Sequence, residues 1–227
     1  MTAPSAAPLV VAIDGPAASG KGTLARRVAE ALGFALLDTG ALYRAVGLVV
    51  LRTGGSPDDA AAATGAAQGL SPAAIAEIVR DPALRTDEAA QAASKVSAVP
   101  AVRAALLDFQ RDFAQVPPDG REGAVLDGRD IGTVICPDAP AKLFVTATTE
   151  VRAERRLKEL QSRGVPAIYA AVLEDMKIRD ARDSQRAASP LLPAADAFLL
   201  DTSAMDADQA FDAAMSFIRS RPAFAGR

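Results

Sequence analysis

Seven residues near the amino end, Gly15-Pro16-Ala17-Ala18-Ser19-Gly20-Lys21, restrict the possible folds of this chain more than any other stretch. They match G-x-x-x-x-G-K, and their setting is the one that pattern needs. Before them, Leu9–Ile13 form a short β-branched apolar run broken by Asp14-Gly15-Pro16, which predicts a buried strand ending in a turn. After them, Leu24, Val28, Ala31 and Leu32 fall on one face of a helix, with Gly33 placed to end it. Glycines let such a loop turn back on itself, so that successive backbone N–H groups and a helix N-terminus face an anion. The lysine then reaches the β- and γ-phosphates of a nucleotide. Phe34–Leu37 reads as a second strand and about Ala41–Leu51 as a helix ended by Thr53-Gly54-Gly55. Strand, glycine loop, helix, strand is the start of a parallel sheet. The position after Lys21 is Gly22, where switch GTPases and motor ATPases carry a Ser or Thr for magnesium, and Thr23 comes one place later.

The remaining chain divides by composition. Residues 56–98 are rich in alanine (Ala60–Ala63, Ala66-Ala67, Ala73-Ala74) with Gly and Pro punctuation, and read as short helices in an insertion with little core of its own. Pro100 opens a helix with Val102, Leu106, Phe109 and Phe113 on one face. Val116–Gly120 is a loop, Ala124–Leu126 a buried strand ending at Asp127, and Lys142–Thr146 another strand. Glu150–Ser162 is a charged helix, 163–166 a break, Ala167–Arg186 a second helix, Ala197–Leu200 the last strand and Asp206–Arg219 the last helix.

What the chain lacks narrows its chemistry. Its 227 residues suit one α/β domain with small insertions. There is no His, which excludes Ser-His-Asp and Cys-His hydrolases and His-ligated zinc, and the single Cys136 excludes a disulfide framework. The net charge of −3 argues against non-specific nucleic-acid binding, and the absence of Trp against a base-stacking platform. No signal peptide and no membrane-length apolar run are read, so the expectation is a cytoplasmic protein that touches no membrane. Of 25 cationic residues, 20 are Arg, the better side chain for forked contacts to phosphate.

Several of those arginines stand where a parallel sheet binds ligands. Arg44 lies a turn into the helix after Asp38-Thr39-Gly40, at the carboxyl end of a strand. Asp127-Gly128-Arg129-Asp130 closes another strand, with Asp127 in the Walker-B position and Arg129 placed to bridge phosphates. Arg179, Arg182, Asp183 and Arg186, at offsets 0, 3, 4 and 7, share one helical face. Three arginines in one stripe repel one another unless an anion lies between them. Arg155 and Arg156 sit among i,i+4 pairs and equally fit a solvated face.

Gly15–Thr23, DTGALYR at 38–44, DGRDIGT at 127–133 and RDARDSQR at 179–186, in that order, resemble the bacterial cytidylate kinases over about residues 9–219. The resemblance implies an α/β fold of the P-loop NTPase type, a five-stranded parallel sheet flanked by helices. It implies a core of 9–55, 99–150 and 187–227 after a disordered 1–8, a nucleoside-monophosphate-binding insertion at 56–98 and a helical lid at 151–186. It implies γ-phosphoryl transfer from ATP to CMP or dCMP with Mg2+. The sequence offers no self-association signal, so a monomer is expected. Gly15, Pro16, Ala17, Ala18, Ser19, Gly20, Lys21, Gly22 and Thr23 look like the ATP phosphate cradle. Thr39, Tyr43, Arg44, Asp127 and Arg129 look like acceptor-side residues. Ser94, Arg103 and Asp130 resemble the readers of the cytosine edge. Arg179 and Asp183 resemble sugar contacts, and Arg186 a further acceptor-side arginine. Arg155 and Arg156 resemble lid arginines near ATP, which completes a catalytic set of Lys21, Arg129, Arg155, Arg156 and Arg186. No direct metal ligand is expected, with magnesium held through water near Thr23 and Asp127. The family's insertion carries a small antiparallel sheet, whereas the stretch before Arg85-Thr86-Asp87-Glu88 here has no alternating pattern and is expected to be short and mainly helical. Kinases of UMP, AMP, shikimate or dephospho-coenzyme A, and a non-catalytic nucleotide switch, remain the competing readings.

Overall fold

The structure is a computed structural model that describes residues 8–227. The disorder expected for 1–8 falls, Pro8 apart, outside the described residues. Five strands, β1 (Leu9–Asp14), β2 (Ala35–Asp38), β3 (Gly123–Gly128), β4 (Ala141–Thr146) and β5 (Phe198–Asp201), form one sheet in the order β2-β3-β1-β4-β5, every pair parallel. All carboxyl ends therefore share one edge. The register sets Asp127 beside Asp38 and Gly128 beside Asp14. Strand order reverses around β1, and a doubly wound sheet opens its ligand crevice at that point.

The helices are α1 (Lys21–Leu32), α2 (Thr39–Arg52), α3 (Ala60–Gln68), α4 (Pro72–Ile78), α5 (Asp87–Val96), α6 (Pro100–Gln115), α7 (Thr149–Ser162), α8 (Tyr169–Gln185) and α9 (Ala207–Ser220). Their starts follow the local chemistry. Side chains of Asp38, Asp59, Ser71, Thr86, Thr148 and Asp206 accept the first free N–H groups of their helices, and Pro100 takes the position where no N–H is needed. One face of the sheet packs Val11, Ile13 and Leu143 against Val28 of α1 and Ile218 of α9. The other packs Ala12 and Leu126 against Ala114 of α6. The last helical residue of α8 is Gln185, so Arg186 follows it in extended backbone and is not on the helical face expected for it.

Residues 56–98 hold helices and no strand among the described residues, as the alanine pattern predicts. As expected, the insertion has little core of its own: what it buries, it buries against α2 and α6. Ala63, Ala67, Ile75, Ala93 and Val96 are buried in one cluster with Leu42, Val46, Val102 and Leu106. The packing is close because the side chains are small. A Cβ on Gly47 of α2 would lie 2.7 Å from the Ala92 Cβ of α5. Periodicity of large apolar residues is blind to a seam of this kind.

Candidate active site

The phosphate loop joins β1 to α1. Gly15 adopts φ 150, and a Cβ there would lie 2.0 Å from the Val145 carbonyl oxygen of β4, so only glycine fits. Gly20, at φ 89, precedes α1 with no side chain capping that helix, which leaves its first N–H groups for a ligand. A Cβ on Gly22 would lie 3.1 Å from Asp127 Oδ2, so a larger residue after the lysine would have to displace that carboxylate slightly. Lys21 Nζ lies 3.7 Å from Asp127 Oδ1 and 3.5 Å from the Pro16 carbonyl.

Next to this loop is a cavity of ≈ 240 Å³ lined by Lys21, Gly22, Asp38, Thr39, Tyr43, Arg44, Arg103, Asp127, Arg129, Asp130, Arg179, Asp183 and Arg186 among others. Six cationic side chains thus meet four carboxylates in one place. Arg129 Nε donates to Asp183 Oδ2 at 3.0 Å, Arg44 pairs with Asp38 at 2.5 Å, and Arg103 pairs with Asp130 in full burial. Arg103 also stacks over the Tyr43 ring, and Thr39 Oγ1 donates to the Asp127 carbonyl at 2.8 Å. The pairing leaves donors over. Arg179 forms no ion pair among the described residues, and its Nε, with Arg186 Nη2 and Arg103 Nε, is buried without an acceptor. Asp127 Oδ1 and Ser19 Oγ are buried without a hydrogen bond as well. Buried guanidinium N–H groups without acceptors are costly unless an anion completes them.

The electrostatics agree. Burial, with Arg129 adding to it, depresses the Lys21 ammonium to about 8. Burial and then Arg129 lower Arg179 to about 10. Burial raises the Asp127 carboxyl despite Lys21 nearby. Burial also works against the Asp183 carboxylate, but Arg129 and Arg179 outweigh it and hold it below the usual range. Lys21, Arg179 and Arg186, whose charge is disfavoured by burial and neighbouring cations while the carboxylate-paired Arg103 and Arg129 are held charged, make a site prepared for negative charge.

A second cavity of ≈ 270 Å³ shares the loop through Ser19 and Gly20 and continues past Thr23, Leu24, Val145, Arg155, Thr202, Met205 and Ala207. Arg155 donates to Thr202 Oγ1 at 2.9 Å and to the Thr202 carbonyl at 2.7 Å, so it is fastened to the end of β5. Thr23 lines this second cavity, whereas Asp127 lines the first. Arg156 lines neither: it pairs with Asp87 at 2.5 Å and Glu159 at 2.9 Å along a larger cleft of ≈ 950 Å³ that meets the first cavity at Asp38 and Arg44. Ser94, 2% exposed, stands behind the wall formed by its neighbours Ala93 and Ser97, and its hydroxyl accepts from Arg182.

Three positions that hold the site together escaped the reading of the residues. Arg152 is buried and spends its donors on Asp180 (3.0 and 2.6 Å), the Ala147 and Ala17 carbonyls and Thr149, which ties α7 and α8 to the phosphate loop. It shares a helical face with Arg155 and Arg156, which was the available signal. Thr202 follows a strand-ending Asp201, just as Thr39 follows Asp38. Asp14 accepts the Ile131 and Gly132 N–H groups at 2.8 Å each and so fixes the loop that carries Arg129 and Asp130.

The cytidylate kinase family model matches residues 11–220. A cytidylate kinase of Paramagnetospirillum magneticum is 63% identical over 212 residues, 93% of this chain and 98% of that one. Another, of Rhodospirillum rubrum, is 60% identical over 210 residues, 92% of this chain and 97% of that one. The chain belongs to the cytidylate kinase family. Transfer of the γ-phosphoryl of ATP to CMP or dCMP is the family reaction, which makes ATP the co-substrate. A solved structure of a Eubacterium ventriosum protein shares the fold at a TM-score of 0.51 and 16% identity, over 94% of this chain and 99% of that one.

Proposed function

We propose that this chain transfers the γ-phosphoryl of ATP to CMP or dCMP, giving ADP and CDP or dCDP, with the first cavity taking the acceptor and the second the adenosine side of ATP. The phosphate loop lies between the two, and the transferred group would sit over Lys21. Phosphoryl transfer asks for alignment, charge neutralisation and exclusion of water, with little covalent help from protein. Lys21 and Arg129 would neutralise charge spreading over the group, with Arg44, Arg179 and Arg186 on the acceptor phosphate and sugar. Arg103 and Asp130 would read the base, with Thr39 and Tyr43 shaping the wall. Arg155 would flank the adenine, and Arg156 would join when its Asp87 partner releases it.

Among the described residues no three His, Cys, Asp or Glu side chains gather to hold a metal. Asp127 Oδ1, which accepts no hydrogen bond and has only Lys21 Nζ near it at 3.7 Å, does suit a water of an ion carried by ATP. Mg2+ bound there would neutralise phosphate charge; Asp127 would orient its water, and Thr23 would serve from the second cavity only. We assign residues 56–98 as the acceptor-binding insertion, 151–186 as the lid and the rest as the core. We take it to act as a cytoplasmic monomer; the acidic balance disfavours nucleic acid and an acidic membrane surface as partners, and among the described residues no helix is long and apolar enough to cross a membrane.

The observation that carries the reading is the set of buried arginine donors without acceptors around one cavity. The test is a coupled assay with ATP and magnesium over CMP, dCMP, UMP, AMP, shikimate and dephospho-coenzyme A. CMP and dCMP should give the highest kcat/KM. Highest turnover of another acceptor moves the chain to a different kinase, and nucleotide binding without turnover makes it a switch.

A further inference from the structure

Arg152 contrasts with the arginines of the cavity. A guanidinium carries five N–H donors and no acceptor. Arg152, 4% exposed, has an acceptor for each of the five. Nε donates to the Ala147 carbonyl at 2.9 Å, and Nη1 to the Ala17 carbonyl at 3.3 Å and to Asp180 Oδ1 at 3.0 Å. Nη2 donates to Asp180 Oδ2 at 2.6 Å and to Thr149 Oγ1 at 3.0 Å. Nothing is left for a ligand, yet the side chain joins the phosphate loop to α8. We infer that Arg152 is a positioning residue that couples the two nucleotide sites. With Asp180 it locks the Ala17–Ala18 peptide of the phosphate loop to α8, so that a polyphosphate in the loop and a nucleoside monophosphate beside Arg179 each favour the arrangement the other needs.

On the loop side, Ala18 stands at φ 57, a left-handed conformation that strains a residue with a Cβ and persists only where the surroundings hold it. Arg152 is such a hold. In a trans peptide the carbonyl and the following N–H point in opposite directions. Fixing the Ala17 carbonyl therefore fixes the Ala18 N–H, one of the groups the loop offers to an anion. Ala17 and Ala18 also pack against the apolar cluster of Ala153, Leu160, Val172 and Met176 that joins α7 to α8. On the α8 side, Asp180 takes the guanidinium in a bidentate pair, which fixes orientation as well as charge. Its neighbour Arg179 lines the acceptor cavity with Nε buried and without an acceptor. Three residues further along, Asp183 holds Arg129 at 3.0 Å. A shift of α8 against the loop thus moves the acceptor-side groups together.

The inference rests on the cytidylate kinase reading, and equilibrium binding separates the two. Calorimetry gives the Kd of CMP for the free protein and for protein saturated with the β,γ-imido analogue of ATP and magnesium. It is run on the wild type, Arg152→Met, Arg152→Lys, Asp180→Asn and the Arg152→Met/Asp180→Asn double variant, and their melting is followed. In the wild type the analogue should tighten CMP about tenfold, and CMP should tighten the analogue by the same factor. Arg152→Met should bring that factor to about twofold or less. Asp180→Asn should lower it part of the way, and Arg152→Lys, which still donates, should recover part of it. The double variant should fall no lower than Arg152→Met alone, because both substitutions break one contact. A role confined to stability would lower the melting temperature and leave the factor where it was. If Arg152→Met does not fold or cannot be saturated, Asp180→Asn, whose side chain is 26% exposed, decides the matter by the same factor. A wild type that binds the two nucleotides independently, or a factor undiminished in folded Arg152→Met or Asp180→Asn, overturns this inference alone. A wild type without CMP binding or turnover overturns the functional reading and this inference with it.

Discussion

Lys21 gives the sharpest expectation, because the proposed mechanism calls for its charge and its surroundings oppose it. Burial, reinforced by Arg129, brings its ammonium to about 8 from an ordinary value of 10.5. In the free enzyme a group of that pKa is about nine-tenths charged at pH 7 and about one-tenth charged at pH 9, whereas an ordinary lysine stays almost fully charged throughout. If only the charged form engages the β- and γ-phosphates, kcat/KM for ATP falls about tenfold over that interval, since this ratio reports the free enzyme. The profile of kcat itself should break at higher pH, because bound polyphosphate favours the ammonium. The assay is a coupled measurement of both parameters at half-unit steps, with coupling enzymes in excess at each pH. Lys21→Arg supplies the control: its level drops, but a guanidinium does not titrate here, so the alkaline limb should vanish. A flat kcat/KM across the interval, or the same limb in Lys21→Arg, refutes the assignment of that limb to Lys21.

Gly15→Ala places a methyl 2.0 Å from the Val145 carbonyl in a left-handed backbone, and should cost about 2 kcal/mol or more of stability together with ATP binding, read by urea unfolding and equilibrium dialysis. Arg129→Ala should lower kcat roughly a hundred- to a thousandfold with the far-ultraviolet spectrum retained; near-normal turnover removes Arg129 from the mechanism. Asp130→Asn should weaken the preference for CMP over UMP, and an unchanged ratio counts against Asp130 as a base reader. Asp14 sits near 7 through burial, above its ordinary 3.8, so between those values the native state holds a proton that the unfolded chain has lost. Its contribution to stability is complete below the lower value and fades as pH rises through the upper one. Urea midpoints at pH 5 and 7 should therefore show a smaller decline in Asp14→Asn.

The sequence made the ligand edge of the sheet legible because local chemistry wrote it. The Gly15–Lys21 loop, the strand ending at Asp127 and the turn into Arg44 each carry their signal within a few residues, and the structure brings them to one cavity. The arginine stripe was legible only in part. Arg179, Asp183 and Arg186 meet there, but Arg182 turns to Ser94 and Arg186 lies beyond the helix. What stayed hidden depends on partners far along the chain. Arg152 needs Asp180 and the Ala17 carbonyl, Arg155 needs Thr202, and Asp14 needs the N–H groups at 131 and 132. No window of sequence holds both halves of such pairs. The sheet order was equally out of reach, because a parallel connection does not say on which side of β1 the next strand lies.

The close approach of Gly47 to Ala92 bears on how the insertion can vary among proteins built on this plan. With bare backbone opposite a methyl group, neither helix has slack to accept a bulkier neighbour alone. Exchanges across α2 and α5 must come as matched pairs, one side growing as the other shrinks, or the two helices must part and carry Tyr43 and Ser94 away from each other. A survey of paired substitutions at 47 and 92 would thus double as a map of which lineages kept the same pocket wall.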